Sequence, residues 1–316
     1  MSAGLSLFPS HSESLDELLR FADTALQKSK QNGKNTFHLF NEGMRSDELE
    51  RGRLRAQLRS ALRYSELLLH FQPKVDLASG AVTGAEALVR WLHPERGLLG
   101  PAAFVPLAEQ TGLIVQIGDW VIDEACRQLA SWHAGGLPVQ SISVNVSALQ
   151  VRRGNLPLSV ASALRRWGVP AKCLELELTE SMFLDDIDTA VALIDDLRQF
   201  GVRLSIDDFG TGYSSLAYLK NLRVDRLKVD QSFVRDMATD PNALAIVKTI
   251  VQLGRNLSLA VTAEGVENSE QLEMLRQLGC AEIQGYMISR PVDAASFIAF
   301  CQSHEPAHFN DARDFF

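Results

Sequence analysis

The sequence predicts an α/β protein, a TIM-like (β/α)8 barrel whose first strand is antiparallel to its neighbours. From Glu66 to about Phe300, eight strand-like runs alternate with helical segments, which is typical of a parallel sheet closed into a barrel. The link between the first two runs, DLASGAVTG, is too short for a crossover helix, so this pair should form an antiparallel hairpin. Length alone would suggest two domains, but barrels of this kind run to about 250 residues as one unit.

The eight strands are predicted from short runs rich in apolar residues, and the helices from longer amphipathic runs, several of which end at a glycine. The predicted strands lie near residues 67–76, 82–91, 141–147, 173–179, 203–208, 226–230, 259–264 and 282–287. The predicted helices include residues 117–133, 159–168, 188–201, 242–256 and 269–279.

The first 45 residues follow a different pattern. A short apolar strand, a helix over residues 15–30 and a second short strand, TFHLF, follow one another. Elements this short cannot enclose a core by themselves, so we expect the remnant of a neighbouring domain. The predicted organisation is 1–45 for this remnant, 46–65 for a charged linker helix, 66–303 for the barrel domain and 304–316 for a C-terminal tail.

Composition excludes some classes of partner. The net charge of -8 and the pI of 5.4 argue against binding long nucleic acid through a basic surface. No run approaches the roughly 18 apolar residues of a membrane span, and the start is no secretory signal. The four scattered cysteines are typical of reduced thiols. We therefore expect a cytoplasmic chain without membrane contact of its own, although a longer parent protein could be membrane-anchored.

Acidic and amide side chains recur near the ends of the predicted strands. The strand period of two places Ala85 and Ala87 on one face and Glu86 on the other, and the other runs behave similarly. Because burying an unpaired charge is prohibitive, these side chains are expected to pair through cations. The candidate ligands are Glu86, Asn145, Glu177, Asp207, Asp208 and Glu264.

The ligand atoms of this set are all oxygens, which suits hard cations such as Mg²⁺ or Mn²⁺. Five carboxylates and an amide exceed what one magnesium ion needs. Two ions that share a carboxylate, about 3.5–4 Å apart, would use them all and would suit an in-line displacement at phosphorus. Lys228 and Arg90 would add positive charge for a phosphate and its attacking water. The sequence therefore predicts a two-metal site for phosphoryl chemistry.

Seven motifs with joint spacing carry a family resemblance. EALVRW, VNVS, ELTES, DDFGTGYSSL, LKVD, AEGVE and QGYMISRP together resemble the EAL-domain cyclic-di-GMP phosphodiesterases, over about residues 60–300. Residues 4–45 resemble the C-terminal end of a GGDEF diguanylate cyclase domain. That domain's nucleotide-binding half and signature motif are not in this sequence, so we expect no cyclase activity from it.

The resemblance implies hydrolysis of one 3′–5′ phosphodiester of cyclic di-GMP to linear pGpG, with two divalent cations, in a homodimer. It implies one cation held by Glu86, Asn145, Glu177 and Asp207, and a second that shares Asp207 and is completed by Asp208 and Glu264. The catalytic residues that it implies are Lys228, Glu264, Glu180 and Gln284, with Lys228 orienting the attacking water or offsetting charge. Glu180 would brace the DDFGTGYSSL loop, and Gln284 would support the site through water or substrate. The implied substrate contacts are Gln72, Leu88, Arg90, Pro106, Asp230, Tyr286 and Pro291.

Other interpretations remain open. Glu175 fits a structural ion pair inside the barrel, with Lys228 as a possible partner, and Asn145 could instead satisfy buried backbone groups. The chain could be a receptor that binds the dinucleotide without cutting it. It could also be a Mg²⁺-dependent barrel that abstracts protons, or a regulatory subunit that signals to partners. The complete metal-ligand set favours the phosphodiesterase.

Overall fold

The structure is a computed structural model that describes residues 1–31, 35–153, 155–185, 187–212, 219 and 222–306. Its first elements are β1 (Ala3–Leu5), α1 (Leu15–Gln31), β2 (Phe37–Leu39) and α2 (Glu42–Ala61). β1 and β2 form a separate two-stranded parallel sheet. A small hydrophobic cluster, apart from the main core, accompanies these elements and contains Phe21, Ala25, Phe40 and Met44.

Helix α2, over Glu42–Ala61, occupies most of the range predicted for the linker helix, 46–65. It begins earlier, where the Asn41 side chain accepts a hydrogen bond from the Met44 amide and caps the first turn. Leu54, Leu58 and Ala61 on its second half are buried in the main hydrophobic core. This half of the helix therefore packs as part of the barrel's outer layer.

The remaining elements alternate as predicted. In chain order they are β3 (Leu67–Asp76), β4 (Val82–His93), β5 (Gly97–Leu99), α3 (Pro101–Thr111), α4 (Leu113–Ala134), β6 (Ser141–Val146), α5 (Ala148–Arg153), α6 (Leu156–Trp167), a 3₁₀ turn (Ala171–Cys173), β7 (Leu174–Thr179), α7 (Met182–Asp185), α8 (Ile187–Phe200), β8 (Arg203–Phe209), β9 (Arg226–Val229), α9 (Gln231–Asp236), α10 (Pro241–Leu257), β10 (Ala260–Ala263), α11 (Ser269–Leu278), β11 (Glu282–Ile283) and α12 (Ala294–Ser303).

Eight of these strands close a barrel in the order β3-β11-β10-β9-β8-β7-β6-β4, and β4 pairs back onto β3. β3 is antiparallel to both of its neighbours, β4 and β11, whereas the other strands of the ring pair in parallel. The predicted barrel with a reversed first strand is confirmed. The short strand β5, which was not predicted, extends the sheet beyond β4 as an antiparallel edge.

The last strand is shorter than predicted, because the chain leaves the ladder after Ile283. The Val266 amide donates to the Gln284 carbonyl at 3.1 Å, and the Met287 amide donates to the Val266 carbonyl at 3.0 Å. The backbone approach is so close that a Cβ on Gly285 would lie 2.1 Å from the Val266 carbonyl oxygen. Residues 284–287 thus line the mouth of the barrel instead of extending the sheet.

The core lies between the sheet and the helices around it, while the barrel interior is polar. On β7, Leu174, Leu176 and Leu178 are buried outside the ring and alternate with Glu175 and Glu177 inside it. All four cysteines are free thiols, as predicted, and three of them are buried.

Among the described helices, none combines the length and the apolar character needed to cross a membrane. Most of the predicted C-terminal tail, residues 307–316, lies outside the described residues.

Candidate active site

The predicted ligands converge at one end of the barrel. Glu86, Asn145, Glu177 and Asp207 lie on four consecutive strands of the ring, β4, β6, β7 and β8, and Glu264 follows β10 directly. The carboxyl ends of parallel strands meet at the same mouth of a barrel, which is where active sites of this fold are built. The cluster therefore lies where a barrel enzyme carries its chemistry.

Lys228 of β9 is the positive centre of this cluster. Its Nζ lies 2.5 Å from Glu264, 2.6 Å from Glu177, 3.1 Å from Asp207 and 3.8 Å from Glu86. Burial opposes the charge of Lys228, but the surrounding carboxylates outweigh burial and raise its pKa well above the usual value. The side chain is a fully buried ammonium ion held by carboxylates.

Glu177 is enclosed by two lysines. Lys228 Nζ donates to Glu177 Oε2 at 2.6 Å, and Lys74 Nζ of β3 donates to Glu177 Oε1 at 2.8 Å. Burial alone would raise the pKa of this carboxyl, but the two ammonium groups hold it well below its usual range. Glu177 is therefore a buried carboxylate. Lys74 was missed by the sequence analysis, although it shares the inward parity of Gln72 in HFQPKVD.

A second carboxylate group lies at the mouth. One ligand oxygen each from Asp207, Asp208 and Glu264 lies within 4.8 Å of the others, close enough to hold one metal ion. Burial, and then the charge of Asp207, raise the pKa of Asp208 to about 6. Asp208 also has a φ of 53°, the left-handed region that is uncommon for residues other than glycine. Carboxylates crowded in this way fit a hard cation.

Amide side chains hold Glu86 in place. Asn145 Nδ2 donates to Glu86 Oε1 at 2.6 Å, and Gln284 Nε2 donates to Glu86 Oε2 at 2.6 Å and to Gln72 Oε1 at 2.9 Å. The described hydrogen bond of the Asn145 side chain thus goes to a carboxylate and not to a backbone group. Glu86, Asn145, Gln284 and Gln72 form one connected network.

Glu180 contacts the loop that follows β8. Its Oε2 accepts a hydrogen bond from the Gly210 amide at 2.9 Å. Gly210 has a φ of 101°, and an added Cβ would lie 3.1 Å from the Phe233 ring, so the turn there requires glycine. This contact is what the predicted bracing role requires, although residues 213–216 of DDFGTGYSSL lie outside the described residues.

Deeper in the barrel, a second ion-pair layer confirms the structural pairing expected for Glu175, with different partners. Glu175 lies 3.5 Å from Lys74 Nζ and 3.4 Å from Arg226 Nε, and Arg226 Nη1 contacts Glu282 at 2.6 Å. Through Lys74 and Glu177, this layer is continuous with the cluster around Lys228. Among the residues that the structure describes, the connected network holds six carboxylates (Glu86, Glu175, Glu177, Asp207, Glu264 and Glu282) and three cations (Lys74, Arg226 and Lys228).

A cavity of about 170 Å³ opens over the cluster. Of the predicted substrate contacts, Gln72, Leu88 and Tyr286 line it, together with Gln231 and Glu267, which were missed. Glu267 belongs to the quoted motif AEGVE, and that was the available signal. The half-exposed Tyr286 carries the Arg290 guanidinium over its ring at 4.2 Å.

The other predicted substrate contacts do not line this cavity. Half-buried Arg90 donates from Nη1 to the Val89 carbonyl at 2.9 Å. Pro106 lies inside α3, and the Asp230 carboxylate caps α9 by accepting from the Ser232 amide at 3.0 Å. The Pro291 carbonyl lies 3.2 Å from His70 Nδ1. Their role as substrate contacts stays a prediction.

Comparison with known proteins identifies the family. The sequence model of the EAL domain family matches residues 55–291 of the chain. The chain is 46% identical over 298 residues to the bifunctional diguanylate cyclase/cyclic di-GMP phosphodiesterase MucR of Pseudomonas aeruginosa, covering 94% of this chain and 44% of MucR. It is 44% identical over 303 residues to the cyclic di-GMP phosphodiesterase NbdA of the same organism, covering 96% of this chain and 39% of NbdA.

Among solved structures, a PaMucR phosphodiesterase in complex with c-di-GMP is 49% identical, with a TM-score of 0.75, and the match covers 78% of this chain and 99% of that one. The chain spans less than half the length of these two curated relatives, MucR and NbdA. With the EAL domain matched over most of its length, the chain belongs to the EAL domain family.

Proposed function

We propose that this barrel is a metal-dependent cyclic di-GMP phosphodiesterase that hydrolyses one 3′–5′ phosphodiester to give linear pGpG. The observation that carries the proposal is the cluster of carboxylates around Lys228 at the mouth of an EAL-family barrel. MucR and NbdA are named for this activity, and a solved MucR structure holds c-di-GMP. Such an activity would lower the concentration of the dinucleotide messenger in bacterial signalling.

The excess of negative charge supports a pair of divalent cations. Six carboxylates share three cations in the buried network, and Asp208 adds a further carboxylate at the mouth. We propose that Glu86, Asn145, Glu177 and Asp207 hold one ion, and that Asp207, Asp208 and Glu264 hold a second. All donors are oxygens, which suits Mg²⁺ or Mn²⁺. When bound, two such ions activate water and stabilise the oxygens of an in-line displacement at phosphorus.

The protein's own groups would then hold and orient the reactants. The Lys228 ammonium, between Glu177, Asp207 and Glu264, would orient the attacking water or offset its charge. Gln284 and Asn145 would keep both oxygens of Glu86 in place through their amide hydrogens. The contacts of these side chains with one another are present in the structure and support these roles.

The substrate would lie over the cavity beside Tyr286. Arg290 covers one face of the Tyr286 ring, which leaves the other face for a guanine base, and stacking of this kind contributes about 1–3 kcal/mol per base. We propose Arg90 as the phosphate clamp, because its planar fork matches phosphate oxygens. Gln72 and Leu88 line the cavity and would contact the substrate directly. Pro106, Asp230 and Pro291 complete the proposed set.

The wider setting is also proposed. Residues 1–45 are interpreted as the C-terminal remnant of a GGDEF domain, in line with the cyclase named for MucR. We further propose a cytoplasmic homodimer that takes cyclic di-GMP as its small-molecule substrate and binds no long nucleic acid.

The decisive experiment incubates the purified chain with cyclic di-GMP in Mg²⁺, in Mn²⁺ and in EDTA, and separates the products by chromatography. We expect linear pGpG in both metals and none in EDTA. Tight binding without any product would make the chain a receptor instead. Neither binding nor product would show that the substrate assignment is wrong.

A further inference from the structure

Lys74 has no role in the reaction described so far, yet it is a buried, charged side chain in the barrel interior. It lies on β3, the only reversed strand of the ring, and its side chain is 4% exposed. Burying an ammonium ion is costly unless it is well paired. Its position therefore calls for an explanation.

The partners of Lys74 all lie on β7. Nζ donates to Glu177 Oε1 at 2.8 Å and lies 3.5 Å from Glu175 Oε1, two residues deeper in the barrel. Among the described ion pairs, Lys74 has no contact with Glu86, Asp207 or Glu264. Lys74 therefore approaches Glu177 from below the cluster at the mouth.

Lys228 approaches the same carboxylate from the other side. It bonds Glu177 Oε2 at 2.6 Å and also contacts the carboxylates of the mouth. The two oxygens of Glu177 thus point in different directions, Oε1 toward the deep layer and Oε2 toward the candidate metal site. An oxygen has two acceptor positions, so Oε2 can serve Lys228 and a metal ion together.

We propose that Lys74 is a positioning residue that makes Glu177 a ligand through one oxygen and thereby selects the cation. This inference rests on the metal-dependent function proposed above. Mg²⁺ and Mn²⁺ sites use carboxylates through single oxygens, whereas Ca²⁺ takes more oxygen ligands and readily accepts a carboxylate through both. Because Oε1 is hydrogen-bonded to Lys74, Glu177 cannot turn both oxygens toward one ion. The larger cation, Ca²⁺, therefore loses one oxygen ligand.

The test compares cation binding in the full chain by isothermal titration calorimetry, without substrate. Removing the charge in Lys74→Met should strengthen binding of every divalent cation through Coulomb attraction, so a single affinity is ambiguous. The ratio of the Ca²⁺ and Mn²⁺ dissociation constants cancels that common effect. We expect Lys74→Met to shift the ratio toward Ca²⁺ by about tenfold, the equivalent of one contact to a charged group.

Two control variants test whether a change in the ratio comes from the loss of the Lys74 charge at this buried position. Lys74→Arg keeps a charged donor and should keep the wild-type ratio, and Lys172→Met makes the same change at an exposed position and should alter nothing. An unchanged ratio in a folded Lys74→Met protein would overturn the inference while leaving the hydrolysis reaction intact. A wild-type chain that binds neither cation would overturn both this inference and the metal-dependent function.

A crystal structure of the wild-type chain with Mn²⁺, and another with Ca²⁺, provides a test that does not depend on the folding of a variant. We expect Glu177 to contact either ion through one oxygen, with Lys74 still bonded to the other. Coordination through both oxygens, with Lys74 displaced, would overturn the inference.

Discussion

Asn145 donates a hydrogen bond of 2.6 Å to Glu86 Oε1, although 59 residues separate the two in the chain. β4 and β6 are parallel neighbours in the ring. Glu86 lies opposite Ser143, which precedes Asn145 by two residues on β6, so both side chains point into the barrel. The remaining oxygen of Glu86 accepts from Gln284, so each oxygen of the carboxylate accepts one hydrogen bond from an amide of another segment. Such an arrangement holds the Glu86 carboxylate, a proposed metal ligand, in one orientation.

Glu86→Ala should abolish turnover, because it removes a proposed metal ligand and leaves the amides of Asn145 and Gln284 without their acceptor. Loss of a residue that only supports a metal ligand commonly costs about 10–100-fold, so a lost ligand should cost more than about 100-fold. Glu95→Ala, on the exposed turn after β4, is the matched control and should keep wild-type rates. The rate of pGpG release measures both, and normal hydrolysis by Glu86→Ala would contradict the two-metal assignment.

Arg90→Ala should weaken substrate binding more than it slows the chemical step. A hydrogen bond to a charged group contributes about 1.5–3 kcal/mol, which corresponds to a rise in KM of about 10–100-fold. Arg90→Lys should recover only part of the loss, since an ammonium ion lacks the two-pronged guanidinium.

Steady-state kinetics with cyclic di-GMP separate the two parameters. Arg96→Ala removes an arginine that pairs with Glu50 at the surface and should leave KM unchanged. A fall in kcat at constant KM for Arg90→Ala would contradict the proposed phosphate clamp.

The thiols of Cys126, Cys280 and Cys301 should resist modification in the native protein. Burial raises the pKa of Cys126 to about 12 and the pKa of Cys280 and Cys301 to about 11. A raised thiol pKa leaves very little thiolate at pH 8, and the thiolate is the reactive form. We expect slow reaction with a chromogenic disulfide reagent at pH 8, and reaction of all four cysteines after unfolding in guanidinium chloride. Rapid labelling of Cys126 in the folded chain would show that its environment is more open than the structure indicates.

Truncation should distinguish the two halves of α2. A chain that starts at residue 46 keeps Leu54, Leu58 and Ala61 and should retain the stability of the barrel. A chain that starts at residue 66 lacks all three, and the two leucines alone should cost about 3 kcal/mol or more of unfolding free energy. Urea unfolding followed by circular dichroism measures the difference. Equal stability of the two truncated chains would mean that α2 contributes nothing to the barrel.

The fold could be predicted largely because its signals are local. The period-two pattern of β4 and β7 identified strands and assigned their inward faces, and the short link after β3 required a reversed strand. The end of β11 could not be predicted, since GYM continues the apolar pattern. Where the segment leaves the sheet, Gly285 lies in close contact with the Val266 backbone, which is distant in the sequence. The short strand β5 was missed for a related reason, because it exists only by pairing with β4.

For the site, the sequence determined which residue types face the barrel interior and where along each strand they stand. Residue spacing and motif identity were sufficient to predict that the carboxylates, Asn145 and Lys228 lie together at one end of the barrel. The tertiary structure decided which groups touch. Lys74 pairs with Glu177, which is 103 positions away in the sequence. Among the described ion pairs, Glu175 pairs with Lys74 and Arg226 and not with Lys228. Gln231 and Glu267 line the cavity. The physical reason is that strand periodicity is a property of neighbouring residues, whereas an ion pair between distant strands depends on barrel closure and on how far each side chain reaches.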